Sequence, residues 1–174
     1  MHLGTYRAVL MSPELVSDAW VNWIADPFVM LPLGIKPRFS NRQELQRYVR
    51  FMHAQERAVI GIFQAKTELH VGIIEVFFDR KHFTANIDVL IDMRNYSFAA
   101  VADAVLPGLL KHLARRFKIA KFSALIPETH KQALEYYTEA DWELEAELME
   151  EIPSQALHRR LNAKQFAWFP PKMV

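Results

Sequence analysis

Residues 85–99 read ANIDVLIDMRNYSFA, and this stretch decides the fold because a strand pattern gives way to a helix start within it. The run 85–91 is rich in β-branched residues, as strands are. Two similar runs precede it, AVIGIFQA at 58–65 and VGIIEVFF at 71–78, and short polar turns separate all three. The sequence therefore predicts an antiparallel meander that leads into a long helix.

Downstream of this stretch, the helix should continue to Phe117, with Val101, Val105 and Leu109 on its buried side. Pro107 is expected to kink it or break it in two, because proline removes a main-chain donor and clashes with the preceding turn. The elements predicted to follow are a strand at 122–126, a helix capped by Thr129 that runs to Ala140, and strands at 142–152 and 165–169.

Upstream, a short strand is expected at 5–10, and Ser12-Pro13-Glu14 has the residues of a helix start. Asp26-Pro27 should end that helix, and Asn41 should cap a second one. The complete order is β, α, α, β, β, β, α, β, α, β, β. It predicts an α+β, three-layer protein with a mixed, mainly antiparallel sheet, a central β-α-β crossover and helices on both faces.

The composition restricts the function. The chain has 174 residues, a length that suits one domain spanning 1–174. With no cysteine, it has no disulfide, thiolate zinc site or cysteine nucleophile, and His53 and His70 lack partners at metal-ligand spacing. A net charge of +1 without a basic run argues against nucleic-acid binding. No signal peptide or membrane span is evident, so we expect a cytoplasmic protein.

The element order and three segments resemble the GNAT superfamily of N-acetyltransferases, and most nearly its branch of ribosomal-protein N-terminal acetyltransferases. The segments are DAWVNWIADPFV at 18–29, RNYSFA at 94–99 and HKQALEYYTEADW at 130–142. The resemblance implies an N-acetyltransferase that moves an acetyl group from acetyl-CoA, without a metal, to a primary amine of a small molecule or a protein N-terminus. The transfer would be direct, through a tetrahedral intermediate.

The RNYSFA segment occupies the place where the family binds the cofactor diphosphate. Arg94 and Ala99 match the family pattern, whereas Ser97 replaces a glycine. The resemblance implies that successive main-chain N–H groups at this helix start hold the diphosphate. The alternative is that Ser97 is only a helix cap. The implied cofactor-binding residues in this segment are Arg94, Asn95, Tyr96, Ser97, Phe98 and Ala99.

The segment at 130–142 carries the family's tyrosine. Ala133 and Tyr137 match, but His130 replaces an asparagine and Asp141-Trp142 replaces Gly-Phe. By the resemblance, Tyr137 protonates the leaving thiolate, and His130 and Ala133 belong to the cofactor site. The alternative is that Tyr137 packs on the buried side of its helix with its hydroxyl at the surface.

The resemblance also implies a donor for the oxyanion and a slot for the pantetheine arm. The donor would be a main-chain N–H in Val89-Leu90-Ile91, where the last meander strand separates from the strand at 122–126. Asn86 stands where many members have a basic glutamate, so Glu75 and Asp88 are the candidate bases. A carboxylate between apolar strand neighbours is expected to have a raised pKa. The alternative for both is a simple solvent-facing position.

The amine would be held by the first two helices, their loop and the C-terminal strands. These regions are unusually aromatic, although the same residues could be core. An acidic strand near 143–151 could attract a cationic amine, or could be a solvated face. Two further alternatives remain open: a non-catalytic GNAT-fold binding module with a degenerate loop, and a donor with a longer acyl chain. A homodimer through the C-terminal strands is also expected. The aromatic residues are Trp20, Trp23, Phe28, Phe39, Trp168 and Phe169.

Overall fold

The computed structural model of the protein describes residues 1–36 and 41–171. Within these residues, eight strands form one sheet in the order β1-β2-β3-β4-β5-β6-β8-β7. All neighbouring strands are antiparallel except β5 and β6, which are parallel. The predicted mixed sheet and central crossover are confirmed. The strands are β1 (His2–Leu3), β2 (Tyr6–Leu10), β3 (Arg57–Gln64), β4 (His70–Asp79), β5 (Thr84–Ile91), β6 (Lys121–Pro127), β7 (Glu143–Ser154) and β8 (Arg159–Trp168).

Helices cover both faces of the sheet, as predicted. The front face packs against the N-terminal helices, with Trp20, Leu45 and Ile73 in its core. The back face packs against the two later helices, with Val105, Ile87 and Tyr137 in its core. No helix in the described part of the chain is long and apolar enough to cross a membrane. The helices are α1 (Asp18–Ala25), α2 (Pro27–Met30), α3 (Arg42–Ala54), α4 (Phe98–Phe117) and α5 (Lys131–Glu139).

Helix starts follow local capping chemistry, although the start predicted at Ser12 is wrong. The Asn41 side chain accepts a hydrogen bond from the N–H of Glu44, as a cap does. Ser12 opens only a 3-10 turn at Pro13–Leu15 and makes no side-chain cap bond. Helix α1 starts later, where Ser17 Oγ accepts from the N–H of Trp20 and also bonds to Nδ1 of His70, 2.7 Å away. The bond to His70 on strand β4 fixes Ser17 to the sheet, so Ser17 and not Ser12 caps the helix.

The expected break at Pro107 does not occur, since α4 is continuous from Phe98 to Phe117. The main-chain N–H that Pro107 lacks would have bonded to the carbonyl of Asp103. Both residues are exposed, so water can hydrate that carbonyl. The predicted Thr129 cap is also wrong by one residue. His130 caps α5, while the Thr129 hydroxyl donates to the carbonyl of Pro32 at 2.6 Å.

Strands β5 and β6 pair only at their beginnings. The paired residues are Thr84 with Lys121, Ala85 with Phe122, and Asn86 with Ser123. Residues 87–91 of β5 continue alongside β4 and make no pair with β6. The two strands therefore open like a V at their carboxyl ends, between the starts of α4 and α5. Their divergence leaves the main-chain groups on the β6 side of residues 87–91 without a partner from β6.

Candidate active site

A cleft of about 490 Å³ lies at the N-terminus of α4, next to the opening between β5 and β6. Most of the segment predicted to hold the cofactor lines it, and α5 supplies the opposite wall. Such a helix start offers orphan main-chain donors and the positive end of the helix dipole. The lining residues are Met93, Arg94, Asn95, Tyr96, Ser97, Ala99, Gln132 and Glu135.

Of the first four main-chain N–H groups at the start of α4, two donate hydrogen bonds within the protein and two do not. The N–H of Phe98 donates to Oε1 of Gln132 at 3.2 Å. The N–H of Ala100 donates to Ser97 Oγ at 3.4 Å, which is long for such a bond, so the predicted cap role of Ser97 is present. The N–H groups of Ser97 and Ala99 have no partner among the described residues. The helix start therefore keeps two donors for an anion, while Gln132 blocks a third.

Arg94 lines the cleft, but its charge is paired with Asp26. Its guanidinium donates to both carboxylate oxygens of Asp26, at 2.7 and 2.9 Å, and lies 5.2 Å from the ring centre of Phe28. This bond holds the pKa of Asp26 below its usual value. Next to it, Asn95 donates to Asp92 at 2.8 Å, and burial raises the pKa of half-buried Tyr96.

Tyr137 is fully buried, and its hydroxyl has no hydrogen-bond partner in the described structure. The alternative of a hydroxyl at the surface is therefore wrong. Burial raises the pKa of Tyr137 well above its ordinary value, and the nearby Tyr136 and Asp88 add to this. Its ring lies 6.3 Å from that of Phe98, the first residue of α4. An orphan hydroxyl of this kind is rare in native proteins and is a candidate for a functional role.

Three other predicted cofactor residues are buried next to the cleft. Phe98 and Ala133 are in the first turns of α4 and α5, and both are buried in the back core. His130 is 3% exposed, and its Nδ1 accepts from the N–H of Ala133 at 3.3 Å. It also packs edge-on against Phe98 at 5.0 Å. Burial lowers the pKa of His130 to about 4, so the ring is neutral at physiological pH.

Val89, Leu90 and Ile91 form the unpaired end of β5. Val89 packs on the back core and Leu90 on the front core, while Ile91 is buried. They pair with Ile74, Ile73 and Gly72 of β4 on one side. On the other side is the opening toward β6, where their main-chain groups can meet a ligand.

Glu75 and Asp88 are directly opposite each other on β4 and β5. Both face the front of the sheet, where α1 to α3 leave the start of β5 uncovered. Burial raises the pKa of Glu75 to about 7, even though the hydroxyl of Tyr48 donates to its Oε1 at 2.7 Å. The Asp88 side chain is exposed, as the solvent-facing alternative expected, although the protein around it raises the pKa of its carboxyl. The arrangement can accept a proton near neutral pH.

The aromatic residues expected around the amine divide into two groups. Trp20 and Trp23 are buried in the front core, and Trp168 is buried on the opposite face. Phe28 and Phe169 are exposed, and Phe39 lies outside the described residues. The acidic strand β7 is mostly exposed, and two of its carboxylates pair with lysines, Glu145 with Lys121 and Glu147 with Lys164.

Four residues of the site were missed from the sequence. Tyr48 and Gln132 each reach a partner that is distant in sequence, 27 and 34 residues away respectively. Asp26 was interpreted only as a helix end, and Glu135 was not singled out. Tyr48 and Leu45 are at helical spacing in the sequence, but no local pattern indicates which strand residue Tyr48 meets. Within the described ranges, no group of three or more histidine or acidic side chains could hold a metal ion.

Comparisons of the sequence with protein-family models and with curated proteins gave no match. Solved structures do resemble the chain. The spermidine N-acetyltransferase from Vibrio cholerae in complex with CoA and spermine is 15% identical, with a TM-score of 0.80 over 95% of each chain. A GNAT-family acetyltransferase from Bacillus anthracis is 14% identical, with a TM-score of 0.80 over 97% of this chain and 96% of that one.

A third structure is the acetyl transferase from Salmonella typhimurium that modifies the N-terminal serine of a 50S ribosomal subunit protein. It is 13% identical, with a TM-score of 0.80 over 97% of this chain and 96% of that chain. These similarities extend over nearly the whole length of every chain, so they concern the complete architecture and not a shared fragment. The protein therefore has the fold of the GNAT acetyltransferases.

Proposed function

We propose that the protein is an N-acetyltransferase that moves an acetyl group from acetyl-CoA to a primary amine of a small molecule or a protein N-terminus. The observation that carries the proposal is the buried hydroxyl of Tyr137, which has no partner in the described structure. Its position in the sequence matches the family's tyrosine. An unsatisfied buried hydroxyl costs about 1–3 kcal/mol unless a ligand satisfies it, and a cofactor sulfur is such a ligand.

The cleft fits a CoA diphosphate in part. The free N–H groups of Ser97 and Ala99, at the positive end of α4, are suitable donors for phosphate oxygens. Gln132 and Glu135 on the opposite wall would have to turn aside. Arg94 would reach a phosphate after releasing Asp26. Acetyl-CoA, when bound, supplies the activated acetyl thioester.

The chain's own groups then have distinct tasks. The Glu75–Asp88 pair removes the proton from the incoming ammonium group, since burial brings the pKa of Glu75 to about 7. A main-chain N–H of residues 89–91, exposed at the opening, donates to the oxyanion. Tyr137 donates its proton to the departing thiolate. The two front-face carboxylates also favour a cationic acceptor.

The test combines binding and turnover. Saturating acetyl-CoA should raise the melting temperature in a concentration-dependent way, because a ligand at a hundred times its Kd stabilises the fold by about 2.7 kcal/mol. Thiol release should then depend on an added amine, with spermidine and a peptide bearing an N-terminal serine as the first probes. An unmoved melting temperature would refute the proposal. Comparing acetyl-CoA with longer acyl-CoAs defines the donor.

One observation favours the second candidate, a non-catalytic binding module. Gln132 occupies the N–H of Phe98, a donor that a diphosphate would otherwise use. A module of this kind would bind its ligand without amine-dependent thiol release. Acetyl-CoA binding with no release across a broad amine panel would support the module over the enzyme.

A further inference from the structure

Tyr48 connects a helix of the front layer to the carboxylate pair on the sheet. Its hydroxyl donates to Oε1 of Glu75 at 2.7 Å, 27 residues further along the chain. The helix that carries it, α3, is anchored by Leu45, Val49 and Met52, all buried. Because its backbone is fixed, Tyr48 holds the Glu75 carboxyl in one orientation on the front face.

Glu75 and Asp88 form a cross-strand pair, so their Cβ atoms are about 4.5–5.5 Å apart. The charge of Asp88 adds to the raised pKa of Glu75, and two carboxylates this close are expected to titrate as one unit. The other groups coupled to the pair are Arg57 of β3 and Tyr137 of α5, whose pKa the charge of Asp88 raises. Arg57 lies over the ring of Phe77 at 5.0 Å and favours the ionised form of Glu75.

We propose that Tyr48 is a positioning residue for amine deprotonation: its hydroxyl holds Glu75 against Asp88, so that the pair accepts and then shares a single proton. In the step, an N–H bond of the substrate ammonium breaks and an O–H bond forms on the pair, whose charge changes from −2 to −1. The proton then leaves to solvent from the exposed side chain of Asp88. This inference rests on the proposed acetyl transfer.

The first test needs no turnover. In a ¹³C NMR titration of the side-chain carboxyl carbons, Glu75 and Asp88 of the wild-type protein should show coupled, two-step curves. In Tyr48→Phe, the midpoint of Glu75 should move to higher pH, because the lost hydrogen bond favoured the ionised form. Tyr6→Phe, in the opposite core, should leave both curves in place. Independent single-step curves, or an unmoved Glu75 midpoint in Tyr48→Phe, would overturn the proposal.

The second test is the pH profile of amine-dependent thiol release. We expect kcat/KM of Tyr48→Phe to be roughly tenfold below wild type at pH 6.5 and to approach wild type above pH 9, as the loss of one charge-assisted hydrogen bond predicts. The KM for acetyl-CoA should not change. In a Glu75→Gln background, Tyr48→Phe should have no further effect on the profile.

The outcomes separate this inference from the proposed function. A loss of rate that is equal at every pH indicates a structural role for Tyr48 and contradicts the inference. If the wild-type protein releases no thiol with any amine, the proposed function fails. The coupling of Tyr48 to the carboxylate pair is then decided by the NMR titration alone.

Discussion

Arg94 and Asp26 are joined by two hydrogen bonds, from Nε to Oδ2 at 2.7 Å and from Nη2 to Oδ1 at 2.9 Å, across 68 residues of sequence. Asp26 also accepts from the N–H of Phe28 and so caps α2. One carboxylate therefore fixes the junction of two front-layer helices and holds the cation at the edge of the α4 cleft. An anion that enters the cleft must compete with Asp26 for that cation.

We predict that Asp26→Asn binds CoA more tightly than the wild-type protein, with a Kd roughly three- to tenfold lower. Asparagine keeps the cap of α2, since it is as good a capping residue as aspartate. The substitution removes only the charge that competes for Arg94. Isothermal titration with CoA at low ionic strength measures the effect.

The matched control is Asp18→Asn, on α1, which loses an exposed ion pair with Arg42 and has no contact with Arg94. It should leave the CoA affinity unchanged. Equal or weaker binding of CoA by Asp26→Asn would show that Asp26 supports the cleft and does not compete with its ligand.

Tyr137 and Tyr136 provide a sharp comparison because they are neighbours with opposite hydroxyl environments. The Tyr137 hydroxyl has no partner in the described structure, whereas the side chain of Trp142 hydrogen-bonds that of Tyr136. Tyr137→Phe should stabilise the ligand-free protein by roughly 1 kcal/mol, and Tyr136→Phe should destabilise it by about the same amount. Urea unfolding of both variants measures this difference.

The catalytic activity of these two variants should change in the direction opposite to their stability. Tyr137→Phe should lower kcat at least tenfold, because the leaving thiolate loses its proton donor, while Tyr136→Phe keeps near-normal turnover. A more stable and less active variant is the usual sign of a group retained for function. If Tyr137→Phe keeps full turnover, the hydroxyl has no acid role.

The strands were predictable because their signal is local. Alternation and β-branched residues define β3, β4 and β5, and the long helix after β5 leads to a parallel partner. Helix starts were less predictable, because two nearby polar residues can each cap a helix and the local sequence does not distinguish them. Ser17 caps α1 in place of Ser12 because its side chain also bonds to His70. His130 caps α5 in place of Thr129 because the Thr129 hydroxyl donates to the carbonyl of Pro32.

The site was predictable in outline and not in its connections. A family resemblance can indicate Ser97 or Tyr137, but a side chain's partner depends on how separate elements pack. Gln132 reaches the start of α4 only because α4 and α5 begin side by side. Tyr48 reaches Glu75 only because α3 lies over β4. Such contacts arise from tertiary structure and leave no short-range pattern.

Gln132 offers a test of the cleft. Gln132→Glu places a negative charge at the positive end of α4, which should stabilise the helix by about 0.3–1 kcal/mol. The same charge should repel a diphosphate and weaken CoA binding at least tenfold. Gln132→Ala releases the N–H of Phe98 and should bind CoA as well as wild type or better. Thermal unfolding and CoA titration measure the two effects, and unchanged binding by Gln132→Glu would exclude a diphosphate near Phe98.

Stability should also depend on pH through His130. Burial lowers the pKa of His130 to about 4, whereas an unfolded histidine titrates near 6.5. Between these values the unfolded chain binds a proton that the folded protein does not, so stability falls as the pH decreases from about 6.5 toward 4. Glu75, with its raised pKa, acts in the opposite direction.

His130→Asn isolates this contribution. Asparagine can cap α5 in place of the ring but does not titrate, and Glu75 is present in both proteins, so its effect cancels in the comparison. Between pH 7 and 4.5, the wild-type protein should lose roughly 2 kcal/mol more stability than the variant, measured by urea unfolding at each pH. The control His112→Asn, at an exposed position on α4, should follow the wild-type curve. Parallel curves for wild type and His130→Asn would mean that the pKa of His130 is the same in the folded and the unfolded protein, and that the α5 cap does not depend on a neutral ring.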